Sequence, residues 1–449
     1  MTLPKEFSVF GEDYGTSEFK FGVATLGNTP DAIDSRGYFP DMRSALLNLN
    51  SRSGKEISSG RDGQMLIVGP PVAQHLEARR DIAERMVYPM RNGEIASDDE
   101  RAWLVVKEIT RYGLLRHAPE KSVAPEFNGF KCVAALSATA PRYMYDRLIK
   151  IHREINSEEG RTLTRALSII AQPLAVAISQ KRLACTVLEG GHGNTQVAPV
   201  SSGVIFGAQI TLNRGGSDCD LIAAEILRDA GYSDLAHEPK LVKLFKETLG
   251  LVPKNLSKVM QEKNSPLFET VFKIPSTKIS IDLGKNSWQR FLIGEYFFNP
   301  NHEIFASYYR RGFPRPADTY SEGRAVLGTT DLADVIIQSV QKCSFEIQPA
   351  LYQNIILSGG NFAWHVPPTL TNYAVNSPTK LKKMLEEKGI VGSTVELTKN
   401  PVYNVWQGCI AYGLYIPENY EWDWDTREGW LQLVSSADTP TEHDISAEI

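Results

Sequence analysis

The stretch Phe7-Ser8-Val9-Phe10-Gly11-Glu12-Asp13-Tyr14-Gly15-Thr16-Ser17-Glu18-Phe19-Lys20 carries the reading that decides the fold. A β-type run, Phe7–Phe10, leads into a turn with acids, a glycine and two hydroxyls, and a second β-type run, Phe19–Leu26, follows. The same plan recurs further along. Cys185–Leu188 leads into Glu189-Gly190-Gly191-His192-Gly193-Asn194-Thr195, and Gln196–Val200 follows. Laid over one another, Asp13-x-Gly15 matches Glu189-x-Gly191. One acid-x-Gly turn is common in hairpins, but two in matched context predict a duplicated domain whose turns face each other across a cleft.

Around these hairpins, short β-type runs alternate with helical stretches, the pattern of an α/β protein. The 449 residues suggest several domains, at roughly 100–200 residues each. Hydrophobic residues make up 42% and charged residues 22%, enough to bury a large core and to exclude global disorder. The net charge of −5 argues against a nucleic-acid or membrane-surface binder. Cys132, Cys185, Cys219, Cys343 and Cys409 are widely spaced with no CxxC pair, which argues against a disulfide framework or structural zinc and for a reducing cytoplasm. No signal peptide is read in MTLPKEFSVF. The most apolar segment, Ala166–Ile178, is interrupted by Gln172 and Pro173 and is too short to cross a bilayer.

A third glycine turn, Ser358-Gly359-Gly360-Asn361, follows the apolar strand Asn354–Leu357. Each glycine pair suits either a tight turn or close backbone approach to a phosphate or flat ring. Ser217 with Asp220 reads as a capping box for a helix that stops at Gly231. Pro239 opens another, with Leu241, Leu244, Phe245 and Leu249 as its stripe. Lys243, Lys246 and Glu247 lie on its other face, where a solvated Lys243–Glu247 pair is the plain expectation. Gln172 joins the strand-like Ala166–Ala171 to a helix opened by Pro173. Residues 40–63 read as a long exposed loop with a short apolar patch, Ala45–Leu47. Residues 299–328 are irregular and carry Arg310, Arg311 and Arg315, and the acidic stretch 435–449 reads as a mobile tail.

Two acid-glycine turns, a Lys-Glu helix and a Ser-Gly-Gly turn, in that order, resemble the actin superfamily, and most closely the archaeal actins called crenactins. The resemblance implies an actin-like α/β ATPase fold of two similar, ribonuclease H-like lobes, each with a smaller outer subdomain, and a nucleotide cleft between them. It divides the chain into subdomain 1 (1–34, 88–179 and 402–449), subdomain 2 (35–87, with a polymerisation loop at 40–63), subdomain 3 (180–214 and 301–401) and subdomain 4 (215–300). Asp13, Gly15, Thr16, Ser17 and Lys20 match the first phosphate loop, and Glu189, Gly191, His192, Gly193 and Asn194 the second. Gln172 matches the glutamine that positions the attacking water. Lys246 and Glu247 match the ribose and adenine contacts, Gly359, Gly360 and Asn361 the third nucleotide loop, and Trp364 lies near the base. Gly216 and Lys243 are also implied at the nucleotide. Tyr403 and Trp406 match the second hinge, and Tyr88-Pro89 with the Asn92-Gly93 turn match the junction of the small outer subdomain. The chain departs from eukaryotic actins at Glu189 and His192, where they have aspartates, and at Gln196, where they have a histidine.

What the resemblance implies for function is ATP or ADP binding with Mg²⁺ held through water by Asp13 and Glu189, and slow, assembly-stimulated hydrolysis. Mg²⁺ keeps several waters and suits paired carboxylates, while a glutamine such as Gln172, helped by Gln196, acts by geometry and not as a strong base. The resemblance further implies a cytoplasmic, cytoskeletal protein that polymerises head to tail with itself into a double-helical filament, a heterologous contact. Ala45, Leu46 and Leu47 would anchor it, filament-binding proteins would be further partners, and no nucleic acid or membrane insertion is implied. Two alternatives stand beside this: a non-polymerising actin-related scaffold subunit, which His192 and Gln196 make possible, and a small-molecule kinase of the same superfamily.

Overall fold

The computed structural model describes residues 8–24, 29–40, 57–59, 65–70, 72, 85–120, 122–275, 277–321, 324–416 and 422–426. The loop patch Ala45, Leu46 and Leu47 and the tail 435–449 lie outside the described residues.

Two sheets organise the chain. The first contains β1 (Val9–Tyr14), β2 (Glu18–Val23), β3 (Asp31–Asp34), β4 (Phe130–Leu136) and β5 (Thr164–Ala171). The second contains β6 (Ala184–Gly190), β7 (Thr195–Ser201), β8 (Ile210–Leu212), β9 (Ile355–Ser358) and β10 (Val395–Leu397). Their spatial orders correspond strand for strand: β3-β2-β1-β4-β5 and β8-β7-β6-β9-β10, with Trp424–Asp425 added beside β5 in the first. Orientations correspond too. The hairpin strands are antiparallel, and β1-β4-β5 and β6-β9-β10 run parallel. The two acid-glycine hairpins are thus equivalent parts of two similar lobes, and the fold is the actin-like α/β fold.

The parallel strands are buried on both faces, so they read as continuous apolar runs such as Cys132–Leu136. One face of the first sheet is covered by α1 (Glu100–His117) and α2 (Arg142–Glu158), which with Phe10, Phe19, Phe21 and Phe130 form one core. Two helices fill the space between the sheets: α3 (Gln172–Ser179), with Pro173 in its first turn, and α7 (Asn404–Tyr415). They approach so closely that a Cβ on Gly408 would stand 1.9 Å from the carbonyl oxygen of Ala175, so only glycine fits there. Trp406, on the same helix, is fully buried over Gly11 and donates to the Gly22 carbonyl at 3.3 Å, making it a core residue.

Beside the second sheet stand α4 (Gly216–Asp229), α5 (Pro239–Leu249) and α6 (Arg290–Phe298). The capping box of α4 differs from the one expected at Ser217 and Asp220. Gly215 is the cap, and its N–H donates to the Asp218 carboxylate at 2.8 Å. The signal is displaced by two residues: Gly215 keeps extended backbone, and the helix begins at the residue after it. This frees Asp220 to face α5. In the 299–328 segment Arg311 pairs with Asp229 at 3.5 Å and lies over Tyr308, and Arg315 lies over Tyr309. Among the described residues, no helix is long and apolar enough to cross a membrane.

Candidate active site

Alternation along β1 sends Phe10, Glu12 and Tyr14 into the core beneath α1 and α2 and leaves Asp13, at the strand's end, facing the space between the lobes. The register makes the two hairpins comparable. Asp13 pairs with Lys20 across the first, and Glu189 pairs with Gln196 across the second. Sequence spacing placed the acids on turns, whereas both end strands, and strand backbone holds them in position.

Four side chains link the lobes. Gln172, at the start of α3, donates from Nε2 to Asp13 Oδ1 at 3.0 Å, and its Oε1 accepts from Gln196 Nε2 at 2.6 Å. Gln196 Oε1 accepts from the Ala138 N–H at 2.7 Å, and its Nε2 lies 3.5 Å from Glu189 Oε2. Gln196 is 1% exposed and stands behind Gln172, outside the cleft lining. Lys20 Nζ lies 3.5 Å from Asp13 Oδ2.

The turns meet as well. A Cβ on Gly193 would stand 2.7 Å from Thr16 Oγ1, so the tips of the two hairpins are in contact. Gly15 is held by the Ser35 hydroxyl, which donates to its carbonyl at 2.6 Å. On the other side Asn194 donates to the Asn92 carbonyl at 2.8 Å, tying the second turn to the Asn92-Gly93 turn. The first peptides of α4 close on the same turn: Gly216 N–H donates to Gly191 O at 3.0 Å and Ser217 N–H to His192 O at 2.8 Å. Asn361 donates to the Gly191 carbonyl. Gly359 has φ +94, and a Cβ there would stand 2.3 Å from the Gly190 carbonyl oxygen, so the third glycine turn rests directly on the second hairpin.

These elements enclose a cleft of about 460 Å³, within the ordinary size of a small-ligand site. It brings together Asp13, Gly15, Thr16, Ser17, Lys20, Gln172, Glu189, Gly191, His192 and Asn194 at one end. Gly216, Lys243, Lys246, Glu247, Gly359, Gly360, Asn361 and Trp364 line it too. Gly193 and Gln196 stand just behind the lining. Tyr403 is the residue capping α7 and does not line the cleft, although Pro401, Val402 and Val405 do. Those apolar residues, with Tyr14, Glu18 and Met90, carry no chemical signature by which sequence reasoning could have found them.

Lys246 is not on a solvated face. It is 4% exposed, pairs with Asp220 at 2.8 Å and donates to the Gly216 carbonyl at 3.1 Å. Lys243 Nζ reaches to 4.0 Å from Glu18 of the opposite lobe. The three-residue spacing from Lys243 to Lys246 turns one lysine into the α4–α5 joint and the other across the cleft.

Where the two hairpins face each other, the surroundings shift three titratable groups. Burial, reinforced by the charge of Asp13, pushes the Glu189 carboxyl up to about 8. Burial works against the Lys20 ammonium, yet Asp13, Glu18 and Glu189 together outweigh it and raise its pKa. Burial, with Lys246 and Lys243 nearby, lowers His192 to about 4, so it is neutral at pH 7. Two carboxylates facing each other at a cleft wall, with oxygen donors only, fit a hydrated divalent cation, which would favour the charged form of Glu189.

The family described as actin matches residues 229–365. Actin-related protein 3 of Saccharomyces cerevisiae is 24% identical over 352 residues, covering 74% of this chain and 68% of the relative. Actin-related protein 3 of Neurospora crassa is 24% identical over 293 residues, 61% of this chain and 56% of the relative. That of Schizosaccharomyces pombe is 24% identical over 322 residues, 67% and 62%. The chain therefore spans 56–68% of the length of these relatives. Proteins of the actin fold bind ATP or ADP with a divalent cation and hydrolyse ATP weakly, and actin-related proteins are cytoskeletal. One expectation is overturned. A head-to-tail homopolymer does not follow, because these relatives are actin-related protein 3 and not actins themselves. Motif order is shared by polymerising and non-polymerising members, since both need the same cleft, so it could not separate them. Matched lobes, opposed acid-glycine hairpins and these relatives together support the actin superfamily for this chain.

Proposed function

We propose that this chain is a nucleotide-binding, actin-related subunit that works within an assembly of different chains, holding ATP or ADP with Mg²⁺ and hydrolysing ATP slowly. The observation that carries this reading is the hydrogen-bonded link Asp13–Gln172–Gln196–Glu189, which joins the lobes at the floor of one cleft. A cytoplasmic, cytoskeletal setting belongs to the same proposal. The finer likeness to the archaeal crenactins rests on motif order alone.

In this reading the backbones of Gly15-Thr16-Ser17 and Gly191-His192-Gly193-Asn194 approach the phosphates, where side chains at the glycines would obstruct. Lys20 supplies positive charge, and Asp13 and Glu189 hold the cation through its water shell. The bound cation supplies charge neutralisation at the phosphates. Gly216, Lys243, Lys246, Glu247, Gly359, Gly360, Asn361 and Trp364 surround the nucleoside. Gln172 orients the attacking water by position. Its amide is engaged at both ends, by Asp13 and by Gln196, which fixes its orientation and leaves the second lone pair of its carbonyl oxygen for the water.

Three measurements on one preparation test the proposal. Titration with a fluorescent ATP analogue, with Mg²⁺ or with EDTA, should give saturable, magnesium-dependent binding. Phosphate release should be slow, and the protein should stay in the supernatant on sedimentation with Mg-ATP. Failure to saturate would refute the cleft's role, and pelleting at modest concentration would refute the assembly reading.

A further inference from the structure

Inside the first lobe, away from the cleft, a second set of polar groups has no use in the reading above. Glu12 is 0% exposed on the aromatic face of β1, between Phe10 and Tyr14. Cys132 on β4 pairs with Phe10, and Ala134 pairs with Glu12, so Cys132 and Glu12 are diagonal neighbours on one face. His152, also 0% exposed, descends from α2 onto the same spot. One donor atom from each of the three lies within 4.8 Å of the others.

Their bonding is incomplete. Glu12 Oε2 accepts from the Tyr14 hydroxyl at 3.2 Å, but Oε1 has no hydrogen-bond partner. His152 Nε2 stands 3.2 Å from Glu12 Oε2, yet it too makes no hydrogen bond. Its other nitrogen, Nδ1, is 2.9 Å from the Thr164 hydroxyl, which also stands 3.4 Å from Cys132 Sγ. Among the described residues, no lysine or arginine forms an ion pair with Glu12. A buried carboxylate without a cation is costly. With Thr164 on Nδ1, the tautomer protonated there aims an Nε2 lone pair at that carboxylate, and a cation between the two would satisfy both.

We propose that Glu12, Cys132 and His152 bind one structural zinc ion, through a carboxylate oxygen, the thiolate sulfur and Nε2. Nitrogen, sulfur and oxygen are each zinc ligand types, the unpartnered second oxygen of Glu12 can supply a fourth donor, and the Thr164 hydroxyl on the far nitrogen of the histidine can orient the ring. Zinc bond lengths in tetrahedral geometry put donors about 3.3–3.8 Å apart. The His152–Glu12 separation is already at that value, and the widest separation must close by about 1 Å, within reach of side-chain torsions. Coordination replaces the Cys132 thiol proton, which leaves to solvent, and no redox change occurs. Because all three side chains are buried, the ion is taken up as the lobe folds. The ligands come from three separate elements, which is why the absence of a CxxC pair gave no sign of them.

The test uses the full chain purified from cells grown with added zinc, or with cobalt in place of zinc, then desalted with EDTA. About one equivalent of metal per chain is expected, and the cobalt form should show a thiolate-to-cobalt charge-transfer absorption. Cys132→Ser should abolish that absorption, while Cys343→Ser, which removes a different buried thiol, should leave it. If Cys132→Ser does not fold, the wild-type spectrum still decides. Cobalt held at Asp13 and Glu189 would have oxygen donors only and no thiolate band. Metal-free protein from both media, stoichiometric cobalt without the band, or a band that survives Cys132→Ser would each overturn the proposal.

Discussion

Replacing Glu189 with glutamine should stabilise the nucleotide-free protein at alkaline pH and do little at acid pH. The wild-type carboxyl is pushed up to about 8, first by burial and second by the charge of Asp13, from an ordinary value of 4.5. Between these two values the folded protein keeps a proton that the unfolded chain has released. The folded state thus binds more protons, and stability must fall as pH rises through that window. At about 1.4 kcal/mol per pH unit the ceiling is about 5 kcal/mol. Water in the open cleft screens the group, and a working value of about 1–3 kcal/mol is reasonable. Glutamine has the same shape and can still accept from the Gln196 amide. His192 slopes the other way: lowered to about 4, it costs stability as pH falls from its ordinary 6.5. Both proteins share that term, so their difference isolates Glu189. Urea midpoints in EDTA should diverge in favour of the variant from about pH 5 to about pH 8. Saturating Mg-ATP should narrow or reverse the gap, because a bound cation stabilises the charged carboxylate. A midpoint difference that stays constant over this range would refute the argument.

Gln196→Ala should lower phosphate release about tenfold or more while changing affinity for the ATP analogue by less than about threefold, since Gln196 acts only through the position of Gln172; single-turnover phosphate release alongside titration separates the two. Gly408→Ala should destabilise the protein by about 2 kcal/mol, because overpacking against Ala175 backbone outweighs the helix propensity gained; a thermal midpoint lowered by several degrees would be seen by scanning calorimetry. Lys246→Met should cost about 3 kcal/mol by leaving Asp220 buried without its cation, and should also weaken nucleotide binding. Unchanged thermal stability in that variant would show that the pair is dispensable.

Much of the cleft could be read along the chain because its parts are local. Each acid sits two residues before its glycine, so the hairpins announce themselves within a dozen residues. Gln172 is marked by the proline after it, and Lys246-Glu247 by the helix that Pro239 opens. Misreadings arose where a residue's environment comes from distant chain. Asp220 reads as a cap along the chain but pairs with Lys246, a residue of the next helix. Partner choice was misjudged for another reason. It depends on the outer surface of the fold, while the motifs report only the inner cleft.

Alternation of side chains, turn chemistry and the repeated acid-glycine pattern, all short-range, were enough for the α/β class, the duplication and the identity of the cleft residues. What they could not determine is which side chains touch. The Gln172–Gln196 contact, the meeting of Thr16 with Gly193 and the gathering of Glu12, Cys132 and His152 exist only because two sheets and their covering helices pack together. Hydrogen bonds and charge–charge interactions act over a few ångströms of space, and separation along the chain carries no record of that distance.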